Sequence, residues 1–150
     1  MRKREREICD PKELESIINR ACVCRLAMCE ECAPYVVPLC FGYEKGELYF
    51  HSATEGRKLE ILKKNPRVSF EMDIDWELVR SGDHCNMRYR SVIGFGNASL
   101  VEAQEDKRNS LDLIMRHYLQ EPFAYPEATL KRTVIIKVEI EEMTGKAYGY

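Results

Sequence analysis

The stretch LYFHSATEGRKLEILKKNP, residues 48–66, decides the fold of this chain. Leu48 and Phe50 alternate with polar residues as in a β-strand, and the apolar residues Leu59 and Leu62 then recur at the spacing of an α-helix. The stretch therefore predicts a strand, a short turn and a helix that ends at the Asn-Pro pair.

Two basic residues, Arg57 and Lys58, fall in the first turn of that predicted helix. The N-terminus of a helix carries a partial positive charge, so cations there are unfavourable unless an anion binds beside them. Ser52 and Thr54 add hydroxyl donors, and Gly56 allows close approach of the backbone. The sequence therefore indicates a phosphate site, or alternatively a charged helix exposed to solvent.

Length and composition favour one domain spanning residues 1–150. The charged segment at residues 1–8 is expected to be a flexible tail. A net charge of −2 argues against nucleic acid as a partner, because neutralising phosphates requires a basic face. No segment approaches the roughly 18 apolar residues that a membrane span requires. We expect a cytoplasmic protein.

The remaining pattern predicts about six strands, dominated by antiparallel hairpins, and three helices, the first over residues 11–20. This order is typical of a mainly β (α+β) fold, a small β-barrel with flanking helices. Pro38 predicts a strand at the rim of the sheet, and Gly94 and Gly96 predict a bend or a close approach. Residues 73–87 give no clear pattern.

Seven cysteines occur in the chain, and in the cytosol most would be reduced thiols. Four of them, Cys22, Cys24, Cys29 and Cys32, could bind zinc as a tetrahedral set. Alternatively, the first two belong to the apolar face of a strand, and the last two are exposed redox thiols near a turn.

Several blocks, in this order, resemble one known family. They are CRLAM, PYVVPLCFGY, LYFHSA, EGRK and YRSVIGFGNA, and with the first helix they cover about residues 4–105. Together they resemble the pyridoxamine 5′-phosphate oxidase-like superfamily of FMN-binding split barrels, in particular its nitroimidazole-resistance (Nim-like) branch. The resemblance implies a six-stranded antiparallel split β-barrel that forms a homodimer, with one FMN per subunit at the interface.

The resemblance also implies the residues of the FMN site. Arg57, Lys58 and Ser52 would bind the phosphate, and His51 would lie beside the cofactor. The isoalloxazine ring would contact a rim strand, and a later strand would complete the pocket, either from the same subunit or from across the interface. The rim residues are Val37, Pro38 and Leu39, and the later residues are Tyr89, Arg90 and Ser91.

The implied activity is an FMN-dependent oxidoreductase that passes electrons from a reduced nicotinamide to a small acceptor such as a nitroaromatic or a quinone. Pyridoxamine phosphate oxidation is not expected, because the chain ends in TGKAYGY without the arginine-containing signature of that oxidase. The alternative is a non-catalytic flavin- or haem-binding protein for storage or sensing, with His51, His84 or His117 as an axial ligand. Residues 105–150 are expected to be structural or dimer-forming.

Overall fold

The fold is described from a computed structural model, which describes residues 4–119, 121 and 123–150. A short 3₁₀ helix, Arg4–Arg6, precedes the main elements. The strands are β1 (Glu7–Ile8), β2 (Cys24–Glu30), β3 (Ala33–Leu39), β4 (Gly42–Glu44), β5 (Glu47–Ala53), β6 (Arg67–Ser81), β7 (His84–Val101) and β8 (Thr133–Tyr148). The helices are α1 (Pro11–Arg20), α2 (Arg57–Lys64), α3 (Gln104–Tyr118) and α4 (Glu127–Lys131).

Within the described part of the chain, eight strands belong to one sheet, and every pair of neighbours is antiparallel. The strand order is β3-β2-β6-β7-β8-β5-β4, and β1 pairs with β8. Strand β3 therefore lies at one end of this order, which confirms the rim position that Pro38 predicts. The mainly β fold with flanking helices is also confirmed.

Local sequence explains the first helix well. The side chain of Asp10 accepts a hydrogen bond from the backbone N–H of Lys12, and Pro11 occupies the first helical position. Leu14, Ile17 and Ile18 form the buried face of α1 and pack in the main core.

The core lies in two layers on opposite faces of β5 and β8. The larger layer is enclosed by α1, α2 and the inner face of the sheet, where Phe41, Phe50 and Phe70 are almost fully buried. The smaller layer contains Leu111, Ile114, Leu130 and Ile135 and lies beneath α3 and α4. Within the described part of residues 105–150, these contacts give a structural role to α3, α4 and β8.

The prediction of six strands is wrong in count, because the residues that the structure describes form eight. The additional strands, β1 and β4, have only two and three residues, which is too short to produce a periodic pattern. Strand β4 was predicted as part of the rim strand. The break occurs at Cys40 and Phe41, where the Tyr118 hydroxyl accepts a hydrogen bond from the Phe41 N–H and donates one to the carbonyl of Cys22.

Within the segment expected to be a flexible tail, Glu7 and Ile8 form strand β1, and residues 1–3 lie outside the described residues. Glu7 and Ile8 pair with Lys146 and Gly145 of β8. The reason is apolar burial, since Ile8 is only 7% exposed and belongs to the main core.

Residues 73–87, which the sequence left unassigned, form the outer half of the long β6–β7 hairpin. A change of register between Ile74 and Glu77 marks a β-bulge there, and Asp75 within it has a φ of 55°. The bulge interrupts the alternation of apolar and polar residues, which explains why no strand pattern is visible in the sequence. No helix in the part of the chain that the structure describes is long and apolar enough to cross a membrane.

Candidate functional site

The strand, turn and helix predicted from residues 48–66 are present as β5, a three-residue turn and α2. Gly56 is the N-cap residue of α2, with a φ of 128° that an L side chain rarely adopts, and no side chain among the described residues caps the helix. The first backbone N–H groups of a helix have no partner within it. The start of α2 therefore presents free donors and the positive end of the helix dipole.

The Arg57 side chain is more than half exposed and lies between two groups of the β2–β3 hairpin. Its Nε atom is 3.8 Å from Oε2 of Glu30, and its guanidinium lies 4.7 Å from the centre of the Tyr35 ring. A guanidinium in this position is oriented by the aromatic ring, yet keeps donors directed to solvent.

The Lys58 side chain is half-buried and makes no ion pair within residues 4–119, 121 and 123–150. Burial lowers the pKa of Lys58 from the ordinary value of a lysine. A cation that loses hydration without gaining a carboxylate partner is unfavourable in the free protein. An anion bound at the helix start would remove this cost.

The rim residues of β3 alternate in direction. Val37 and Leu39 pack against the main core, whereas Pro38 is exposed on the other face together with Val36. A flat ligand on this strand would therefore contact the backbone of Val37 and Leu39 rather than their side chains. Pro38 lies opposite Arg25 of β2 in the ladder.

His51 and Ser52 are adjacent in β5 and so face opposite sides of the sheet. Ser52 is half-buried on the side of Phe50, which belongs to the main core, whereas His51 is exposed. Ser52 therefore lies on the face of β5 that leads into α2. His51 points away from it, so the two do not act from one face of the strand.

The structure does not bring Tyr89, Arg90 and Ser91 close to Arg57. Arg90 pairs with Ile74, whereas Glu30, the neighbour of Arg57, lies at the far end of β2. Counted through the paired residues of β2, β6 and β7, Glu30 and Arg90 lie about eight residues apart along the strands, roughly 26 Å. Arg57 and Arg90 therefore lie toward opposite ends of the sheet within one chain, and the rim residues 37–39 lie between them.

Arg90 is already bound within its own chain. Its Nη1 atom donates to Oδ2 of Asp75 at 2.7 Å, and its guanidinium lies 3.9 Å from the centre of the Tyr150 ring. Beside it, burial acts to raise the pKa of Tyr89, but Lys146 and Arg6 outweigh it and lower that pKa. Tyr89 and Arg90 thus belong to a cluster of cations and aromatic rings.

Asp75, in the bulge of the long hairpin, connects this hairpin to the end of α1. Its carboxylate accepts hydrogen bonds from Arg20 and Arg90, which lower the pKa of this carboxyl below its ordinary value. The carboxylate therefore contributes stability above the unfolded-state pKa of about 4, and the contribution is lost as the pH falls through the lower folded-state pKa.

We expect Asp75→Asn to lower the melting temperature at pH 7. Between about pH 5 and pH 2 the melting temperature of the variant should fall less steeply than that of the wild type, since the substitution removes one titrating group. Melting curves across that range measure the effect. Asp83→Asn at the tip of the same hairpin is the control, because Asp83 makes no ion pair with the residues that the structure describes. An equally steep fall of the melting temperature in the variant and the wild type would contradict the proposed contribution of the Asp75 carboxylate.

The zinc alternative does not fit the positions of the four cysteines. Cys24 is buried in the core at the start of β2, and burial raises the pKa of its thiol. Cys29 lies five residues further along this extended strand, roughly 17 Å away. One tetrahedral site cannot span that distance. Cys32 is exposed and Cys29 half-buried at the β2–β3 turn, so their redox role stays a prediction.

The three histidines lie apart from one another. His84 is exposed at the start of β7, near the tip of the long hairpin, and His51 is exposed on β5. His117 packs against Phe41, and its Nε2 atom is 2.7 Å from the carbonyl oxygen of Ala21. The ring of His117 is therefore already engaged in joining α3 to the end of α1.

Sequence reasoning missed two residues near the helix start, Glu30 and Tyr35. Glu30 contacts both Arg57 and Lys64, and Tyr35 supports the Arg57 guanidinium. Tyr35 could have been found from the sequence, because it stands two residues before Val37 and therefore lies on the same face of the rim strand. Glu30 left no local signal, since its partners are far along the chain.

The fold is that of a mainly β protein, an antiparallel sheet with flanking helices, and it carries a basic strand–turn–helix beside its rim hairpin. The chain matches the family model described as pyridoxamine 5′-phosphate oxidase over residues 10–147, and it belongs to that family.

Three solved structures illustrate the similarity. A provisionally assigned 5-nitroimidazole antibiotic resistance protein from Bacteroides thetaiotaomicron is 38% identical, with a TM-score of 0.88 over 94% of this chain and 86% of that chain. An FAD-binding protein from Mesorhizobium loti is 25% identical, with a TM-score of 0.71 over 96% and 98% of the two chains. An F420 reductase is also 25% identical, with a TM-score of 0.62 over 89% and 98%.

Proposed function

We propose that this protein binds FMN and acts as an oxidoreductase that passes electrons from a reduced nicotinamide to a small acceptor such as a nitroaromatic or a quinone. Flavin binding is typical of the family to which the chain belongs. The observation that carries the proposal is the half-buried Lys58, whose ammonium has no anionic partner in the described ranges and lies at an uncapped helix start.

The residues at the start of α2 fit a phosphate group. Arg57 supplies a planar fork of donors, Lys58 a compact charge, and Ser52 a hydroxyl on the same side of β5. Free N–H groups of the first helical turn complete the site. A phosphate monoester carries about −1.5 to −2 charge at neutral pH, which matches these two cations.

The rim strand β3 supplies the surface for the ring of the flavin. Backbone atoms of Val37 and Leu39 and the exposed Pro38 would contact it, because the side chains of the first two residues are used by the core. When bound, FMN would supply the electron-transfer chemistry, and the protein would position it and exclude water. His51, on the opposite face of β5, would act on the substrate side rather than on the phosphate.

We further propose a homodimer in which Tyr89, Arg90 and Ser91 come from the partner subunit. Their distance from Arg57 within one chain, roughly 26 Å, supports this arrangement. In the same proposal, the sheet is the split barrel of the family, and β1 and β4 are short additions to its six main strands.

The test is an absorbance spectrum of the protein as purified and after reconstitution with FMN and desalting. We expect retained flavin bands that bleach when NADH or NADPH is added without oxygen and return when a nitroaromatic or a quinone is added. A Soret band would instead indicate haem, and retained flavin that neither nicotinamide reduces would overturn the oxidoreductase and leave a binding protein.

A further inference from the structure

Glu30, the last residue of β2, lies between two cations of α2. Its Oε1 atom accepts a hydrogen bond from Lys64 Nζ at 3.1 Å, and its Oε2 atom is 3.8 Å from Arg57 Nε. The contact to Lys64 is a formed hydrogen bond, whereas the contact to Arg57 is long. One carboxylate is thus shared unequally between the two ends of the helix.

The β2–β3 hairpin also restricts the position of the Arg57 side chain. The Tyr35 ring lies 4.7 Å from the guanidinium, and Asn65 Nδ2 donates to the carbonyl of Cys29 at 3.0 Å. The side chain of Asn65 therefore ties the end of α2 to the end of β2 that carries Glu30. This arrangement places the carboxylate next to the proposed phosphate site.

We propose that Glu30 is a positioning residue that acts as an internal counter-anion for Arg57 and competes with a bound phosphate for that guanidinium. The inference rests on the proposed function, since it concerns the same anion site. In the absence of ligand, Glu30 partly neutralises Arg57 and holds the guanidinium over Tyr35.

Binding then becomes an exchange of partners. A phosphate dianion competes for Arg57 with more charge than one carboxylate has, and Glu30 keeps its hydrogen bond to Lys64 when Arg57 turns to the ligand. A neutral ligand gains nothing from the exchange. Lys64 therefore acts indirectly, because it holds Glu30 away from the bound phosphate.

The test compares the affinities for FMN and riboflavin, which differ by the phosphate alone. We expect Glu30→Gln to tighten FMN binding about fivefold at low ionic strength, because a nearby negative charge is removed, and to change riboflavin binding less than about twofold. The gain should shrink in about 0.5 M salt. A purely structural role of Glu30 would change both ligands alike.

Lys64→Ala is the second variant of the test, and Lys63→Ala on the same helical turn is its matched control. We expect Lys64→Ala to weaken FMN binding about fivefold, and Lys63→Ala less than about twofold, because the latter loses only a screened charge. In the Glu30→Gln background, Lys64→Ala should have no larger effect than Lys63→Ala. An undiminished Lys64→Ala effect in that background would overturn the role of Glu30.

The outcome separates this inference from the proposed function. If Arg57→Ala/Lys58→Ala loses FMN but Glu30→Gln leaves the ratio of FMN to riboflavin affinity unchanged, the phosphate site stands and the role of Glu30 is wrong. If the wild type binds FMN no better than riboflavin, the phosphate site itself is wrong. Melting temperatures within about 3 °C of wild type confirm that each variant is folded.

Discussion

The double substitution Arg57→Ala/Lys58→Ala is expected to weaken FMN binding by about two orders of magnitude or more. Each residue would make a charge-assisted contact to the phosphate, and such contacts contribute about 1.5–3 kcal/mol each. Loss of both removes at least about 3 kcal/mol, which corresponds to more than a hundredfold in affinity. Titration of the apo protein with FMN, followed by flavin fluorescence, measures this change.

Riboflavin and Lys63→Ala are the controls for that result. Riboflavin lacks the phosphate, so the double variant should bind it as weakly as the wild type does. The exposed Lys63 lies on the same helix, away from its first turn. Removal of a cation there should change FMN binding less than about twofold. Equal FMN affinity in wild type and double variant would show that the start of α2 is not the phosphate site.

The second large effect is expected on stability. Gly94 of β7 lies opposite Phe70 of β6, and a Cβ atom at this position would lie 2.2 Å from Cζ of Phe70 and 2.8 Å from the carbonyl oxygen of Glu142. Phe70 is only 1% exposed, so its ring has little room to move. We expect Gly94→Ala to lower the free energy of unfolding by about 3 kcal/mol, near the upper end for overpacked cores.

Urea unfolding curves of Gly94→Ala, Phe70→Leu and the double variant test this explanation. Phe70→Leu removes the ring that the new methyl group would meet, so the double variant should lose less stability than the sum of the two single variants. Ser99→Ala, at an exposed position of the same strand, should be nearly neutral. Strict additivity in the double variant would contradict the contact between Gly94 and Phe70.

Much of the fold could be predicted because the signals are local. Asp10 and Pro11 mark the start of α1, and the alternation from Leu48 to Ser52 marks β5. Gly94 and Gly96 correctly predicted a close approach: a Cβ atom at Gly96 would lie 2.2 Å from the carbonyl oxygen of Glu139. Only residues 73–87, the outer half of the long hairpin, escaped prediction, because a single bulge shifts the side-chain alternation by one residue.

The candidate site was predictable to a smaller extent. The helix start with Arg57 and Lys58 was visible, because the helix dipole makes basic residues in a first turn unusual. The separation of Arg90 from this group was not visible, since it depends on the register of three strands. Nor could the sequence indicate that Asp75 already engages Arg90.

The sequence by itself determined most of the longer elements of this protein and the cations at the start of α2, because hydrophobic periodicity, helix caps and the helix dipole act over a few residues. Only the tertiary structure decided what those cations meet. Arg57 at the start of α2 meets Glu30, which also binds Lys64 across 34 positions of the chain. In the same way, Phe70 meets Gly94 across a hairpin. Such pairs form only when strand register places distant residues side by side, and a shift of one residue would turn each side chain to the other face of the sheet.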